Sequence, residues 1–90
     1  MELNVKEGEA DAFADMFKAE FITRSRTEDG CETYELWREA DNPSRMTIVE
    51  VWRDHAALDV HLEQAWFGDW APKMEAAMAV PLVVRKMVSA

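Results

Sequence analysis

The run CETYELWRE, the turn ADNPS and the run RMTIVEVW, spanning Cys31 to Trp52, leave this chain few folds to choose from. Thr33, Tyr34 and Trp37 favour extended backbone in the first run, and Thr, Ile and Val do so in the second, because branched and aromatic side chains pack well on a pleated surface. Asn42 and Pro43 between them supply turn chemistry. Residues 31–52 are therefore expected to form a β-hairpin.

The flanks change period. Leu3 and Val5 alternate with polar neighbours, a short strand ended by Gly8. From Glu9 to about Arg26 a helical period places Phe13, Met16, Phe17, Phe21 and Arg24 on one face. Gly30 in EDG then punctuates the end. After the hairpin, Asp54 can cap a helix that carries Leu58, His61 and Leu62 inward. Phe67, Trp70, Met74, Ala77 and Met78 line one side of a further helical stretch, where Pro72 predicts a restart near Asp69 or a kink. VPLVVRKMV closes the chain as a strand. Strand, helix, strand, strand, broken helix, strand is the ferredoxin-like α+β arrangement, an antiparallel sheet with helices packed on one face. The other face would carry apolar side chains of the same strands, and pairing two such faces across a two-fold axis would bury them. A homodimer is expected.

Ninety residues make one domain, 1–90, and 49% hydrophobic content is too high for a disordered chain. A net charge of -8, with ten scattered Lys and Arg, argues against nucleic acid as a partner. Cys31 is the single cysteine, which excludes an internal disulfide and suits a reducing compartment. With no neighbouring base it reads as a small buried hydrophobe rather than a reactive thiol. MELNVKEGEADAF lacks the layout of a signal peptide, and no apolar run reaches membrane-spanning length, so a cytoplasmic protein without membrane contact is expected. No Cys pair, no His-x-x-x-His and no carboxylate cage suggests a metal site, and the three glycines form no phosphate loop. No metal and no cofactor is expected.

The densest chemistry lies in IVEVWRDHAALDVHLEQAWF, residues 48–67. His61 shares an apolar helix face with Leu58 and Leu62. It is either a buried neutral imidazole bonded to a sheet residue or a general base tuned by burial. Glu50 and Trp52 share a strand face, where a carboxylate needs a partner. That partner is His61 or an Arg if the face meets the helices, and Arg38 or Arg45 if it meets solvent or the dimer seam. Tyr34 either donates its hydroxyl to a substrate oxygen or packs with its tip wet. Trp66, Phe67 and Trp70 would fill a core or form a slot for an aromatic ring, with Phe17, Met16, Met74 and Met78 as the rest of its wall. His55, beside the Asp54 cap, is expected at the surface.

GCETYEL, NPSRMTIVEVW and ALDVHLEQAWFGDW together resemble the antibiotic biosynthesis monooxygenase family of dimeric α+β barrel proteins, over about Phe13 to Val84. The resemblance implies a pocket between sheet and helices, and Tyr34, Glu50, Trp52, His61 and Phe67 as matching positions. It implies activity of the kind its members show, as cofactor-independent oxygenases of phenols and hydroquinones or as small-molecule isomerases. Haem-degrading relatives use a late-helix His and a first-strand Asn. Here GDWAPKM has no His and Asn4 is out of register, so haem is not expected. The leading expectation is oxidation of an electron-rich phenol, hydroquinone or polycyclic aromatic by dioxygen. His61 would act as base, Glu50 would orient it, and Tyr34 with Trp52 would position a ring held by Trp66, Phe67 and Phe17. A tautomerase using the same base, or a non-catalytic ligand-binding dimer, are the alternatives.

Overall fold

Tyr34 stands opposite Glu50, and Leu36 opposite Ile48, in the antiparallel hairpin of β2 (Cys31–Arg38) and β3 (Arg45–Trp52). The computed structural model describes all 90 residues, 1–90. β1 (Glu2–Asn4) pairs antiparallel with the other edge of β3, giving the order β1-β3-β2. A register shift between Cys31 and Thr33 interrupts the start of β2. The strand alternation sends Tyr34, Met46 and Ile48 into the core, with Glu50 and Trp52 half-buried on the same side.

Helices α1 (Ala10–Met16) and α2 (Thr23–Arg26) are joined without a break by a π-helical segment, Phe17–Ile22. Phe13, Phe17, Phe21 and Ser25 are all buried and recur every four residues. In an α-helix such a series would drift around the axis by about 40° per step. The wider i→i+5 turns remove that drift and bring the column back over the sheet. Phe17 and Phe21 consequently lie nearly parallel, with ring centroids 4.7 Å apart and planes 13° apart. The Ser25 hydroxyl donates to the Phe21 carbonyl at 2.8 Å, and Thr23 Oγ1 to the Lys18 carbonyl at 3.1 Å. A strict 3.6-residue period would have buried Met16 and Arg24. Both are exposed, and Ala14, Ile22 and Ser25 are buried instead.

The Asp54 side chain caps α3 (His55–Leu62) by accepting from the Ala57 amide at 2.8 Å. His61 turns fully inward, Leu58 is half-buried and Leu62 is exposed. The helical break falls at Glu63–Gln64, earlier than Pro72 suggested, since α4 (Ala65–Ala77) runs through the proline. Trp70, Met74 and Met78 are buried against the Phe17–Phe21 column and β1.

The closing segment is less regular than a strand. It meets β1 at two bridges only, Val5 with Met78 and Glu2 with Val83. Five positions separate Met78 from Val83 while three separate Glu2 from Val5, so the two lines cannot stay in register across Val80–Pro81. Pro81 has no N–H to donate to a ladder in any case. No helix is long and apolar enough to cross a membrane. On the sheet face away from the helices, Trp37 is 61% exposed and Val49 and Val51 are also open.

Gly30 joins the first helical layer to the hairpin with φ at +85°, and a Cβ there would stand 2.6 Å from the Ala57 Cβ. Gly8 has a similar φ of +83° but open space around it. Gly8→Ala is therefore expected to cost about 1–2 kcal/mol for the left-handed backbone alone. Gly30→Ala adds overpacking of about 1–3 kcal/mol. Urea denaturation of the two variants should separate them in that order, and equal midpoints would contradict the close approach.

Candidate active site

The end of β3, α3, α4 and the closing segment enclose a cavity of about 650 Å³ whose wall includes Glu50, Trp52, His61, Phe67, Met74 and Leu82. That volume lies inside the range of roughly 300–1,000 Å³ that holds small-molecule ligands. His55 is exposed at its mouth.

His61 is 1% exposed and surrounded by rings. Trp52 lies against it at 4.6 Å between centroids, Phe67 meets it edge-on at 5.2 Å, and Tyr34 is tilted toward it at 5.6 Å. Trp66 and Phe21 complete the enclosure at 5.8 and 5.9 Å. One ring nitrogen, Nδ1, is 2.6 Å from Glu28 Oε2. The other, Nε2, is buried with no hydrogen-bond partner. Buried polar atoms are nearly always paired, which makes this nitrogen an exception in the structure.

The carboxylate beside His61 therefore belongs to Glu28, and the expected pair with Glu50 is replaced. Glu50 accepts from its own strand neighbour, Trp52 Nε1, at 2.8 Å. The reason is local, because positions i and i+2 of a strand project side by side and the indole N–H reaches the carboxylate without any help from α3. Arg38 and Arg45, the other candidates for Glu50, bind Asp11 and Glu39. In the sequence Glu28 is marked only by its place in the EDG helix stop. Its second oxygen, Oε1, accepts from Gln64 Nε2 at 3.2 Å, so one side chain spans the α3–α4 junction.

Tyr34 is 1% exposed and packs between Phe17, Phe21, Trp52 and His61. Burial, and after it the charge and proximity of Glu50, push its phenol far above the usual range. Cys31, half-buried nearby, is pushed up as well, first by burial and then by the Glu28 and Glu50 carboxylates, which disfavours the thiolate. Two expected wall residues stand elsewhere. Phe17 is wholly enclosed by Phe13, Phe21, Tyr34 and Trp70 in the core. Trp66 covers His61 from outside the cavity wall, with the Arg24 guanidinium 5.7 Å over its own ring. No group of three or more His, Cys, Asp or Glu side chains is arranged to hold a metal ion.

The chain is similar to known proteins in sequence and in fold. A cyanobacterial protein called "Uncharacterized protein sll1783", from Synechocystis, is 32% identical over 65 residues, 72% of this chain and 44% of that protein. The chain thus spans less than half of that relative. "Putative monooxygenase YcnE" of Bacillus subtilis is 32% identical over 69 residues, 76% of this chain and 73% of its own length. The crystal structure of a conserved protein from Methanosarcina mazei superposes with a TM-score of 0.81 at 26% identity, covering 89% of this chain and 78% of that one. The family model described as "Antibiotic biosynthesis monooxygenase" matches residues 1–73, and the chain belongs to that family.

Proposed function

We propose that this protein oxidises an electron-rich phenol, hydroquinone or polycyclic aromatic with dioxygen and without a cofactor, in the cytoplasm, where its free thiol stays reduced. The observation that carries this reading is the unpaired Nε2 of His61, held dry among aromatic rings in a residue that lines a cavity of about 650 Å³. That volume leaves room for an aromatic ring system as well as for the small hydroxyketone of a tautomerase.

In this mechanism Nε2 removes the phenolic proton, leaving a phenolate and an imidazolium. The phenolate passes one electron to dioxygen, and the phenoxyl radical and superoxide combine at a ring carbon as a peroxide anion. The imidazolium returns its proton to the peroxide. The ring carbon then releases its C–H proton as the O–O bond breaks, so the carbon keeps one oxygen as a quinone carbonyl and the other oxygen leaves as hydroxide, which takes up that proton to become water. A hydroquinone plus dioxygen thus becomes a hydroxyquinone plus water. An apolar wall keeps water from quenching the radical pair. Phe67 and Trp52 flank the ring, and Trp52 is held by Glu50. Tyr34, buried outside the cavity lining, packs protonated against Trp52 and His61, with Trp66 and Phe17 behind it. Oxygen consumption with a panel of hydroquinones should reveal turnover, and His61→Ala should lower kcat by about 10²–10⁴. Near-native rates in that variant, with its fold intact by near-ultraviolet circular dichroism, would remove His61 from the chemistry.

A second copy of the chain is proposed as the cover of the open sheet face, with Trp37, Val49 and Val51 at its centre. Sedimentation at micromolar concentration should give twice the 10.3 kDa of one chain, and Trp37→Glu should shift that mass downward. A wild-type mass of one chain would leave the face without its partner.

Tyr34 is the chain's only tyrosine, so tyrosinate absorbance reports it alone. An unfolded tyrosine ionises near pH 10. Burial and Glu50 make the folded chain hold the phenolic proton more tightly. Stability from this group is therefore complete below about pH 10 and falls above it, by up to about 1.4 kcal/mol per pH unit. The absorbance should stay silent near pH 10 and rise only together with unfolding. A reversible titration near pH 10 in the folded state would show the hydroxyl to be wet.

A further inference from the structure

We propose that Glu28 is the positioning residue of this site, fixing His61 as the tautomer with its proton on Nδ1 and its lone pair on Nε2. The inference rests on the reading of His61 as a base and supplies what that reading lacks, a reason for the base to point the right way. A neutral imidazole carries one proton, and an ionised carboxylate can only accept hydrogen bonds. With Nδ1 at 2.6 Å from Glu28 Oε2, the proton belongs on Nδ1. Nε2, buried and without a partner, is left as the acceptor. No other polar side chain bonds to the ring. Trp52, Phe67, Tyr34, Trp66 and Phe21 surround it through their rings.

Glu28 is itself held in place from several sides. Gln64 Nε2 donates to its free oxygen at 3.2 Å. The turn that carries it is docked on the β3–α3 junction. Arg53 grips Asp29 with both terminal nitrogens at 3.2 Å, and the Arg53 amide donates to the Gly30 carbonyl at 2.8 Å. Gly30 lets this turn lie on α3, since its missing Cβ would overlap Ala57. Ala57 is one helical turn before His61, so the approach that Gly30 permits delivers Glu28 to the ring. The same division of labour, a carboxylate that holds a histidine without reacting itself, operates in hydrolytic triads.

The test reads the tautomer directly and needs no turnover. The chain has two histidines, and His55→Gln tells their signals apart. Long-range proton–nitrogen spectra of ¹⁵N-labelled protein, recorded over a pH series, should show a neutral ring with a pyrrole-like Nδ1 and a pyridine-like Nε2 for His61. In Glu28→Gln the side-chain amide can also donate to Nδ1, so the opposite tautomer, with its proton on Nε2, should become populated. On a substrate that the wild type turns over, the same variant should lose about tenfold or more in kcat with little change in KM. A wild-type ring protonated on Nε2, or a Glu28→Gln spectrum identical to wild type, would overturn the assignment. Should Glu28→Gln fail to fold, the wild-type tautomer still decides it. A wild type with its lone pair at Nε2 but no oxygen uptake from any hydroquinone would support Glu28 as positioning residue while refuting the oxygenase reading.

Discussion

The close contact between Gly30 and Ala57 governs this molecule more than any single hydrogen bond. The first helical layer ends at Arg26, and the hairpin must begin within a few residues on the opposite side of the buried column. Only a residue without a side chain can make that reversal while touching α3. The reversal sets where β2 starts, and its carbonyl fastens to the end of β3 through Arg53. Sheet, first helical layer and α3 are thus referenced to one point. The polar cluster of Glu28, His61 and Gln64 is assembled around it, through the contacts of the Glu28 carboxylate with both partners.

The core and the candidate site share their material. Phe21 touches Phe17 and Trp70 on one side and His61, Trp66 and Phe67 on the other. Tyr34 likewise belongs to the hydrophobic cluster and to the shell of His61. Packing forces at the centre of the domain are therefore transmitted to the imidazole with little slack, as expected of a close-packed interior. Such rigidity suits a general base, whose efficiency depends on being held in place rather than on being reached by motion.

Much of this could be read from the residues in order. The hairpin was legible because Tyr34, Ile48 and their neighbours are strong strand formers around an Asn-Pro turn, and the helices because their apolar residues recur on one side. His61 stood out because a titratable ring on an apolar stripe is unusual. Its true partner was hidden for a geometric reason. Glu28 is 33 residues away in sequence and comes close only through a glycine conformation that no periodicity encodes. Glu50 was misplaced because strand alternation gives the face of a side chain but not the hydrogen bond it selects, and the indole of Trp52 was nearer. Met16 and Arg24 were assigned inward because a constant turn of 3.6 residues was assumed across Phe17–Ile22.

That wide turn has a consequence for how this chain can vary in length. The π-helical segment rotates everything after it relative to a plain α-helix, and the rotation is what stacks Ser25 beneath Phe21. Losing one residue within Phe17–Ile22 would let the helix relax to ordinary pitch and swing its C-terminal turn away from the sheet. Gaining one would do the reverse. The helical layer therefore works like a combination lock with a single open setting. Length changes that evolution or an engineer introduces would have to be absorbed elsewhere, in places such as the Asn42–Ser44 turn or the loosely bridged run after Met78, where no aromatic column keeps count.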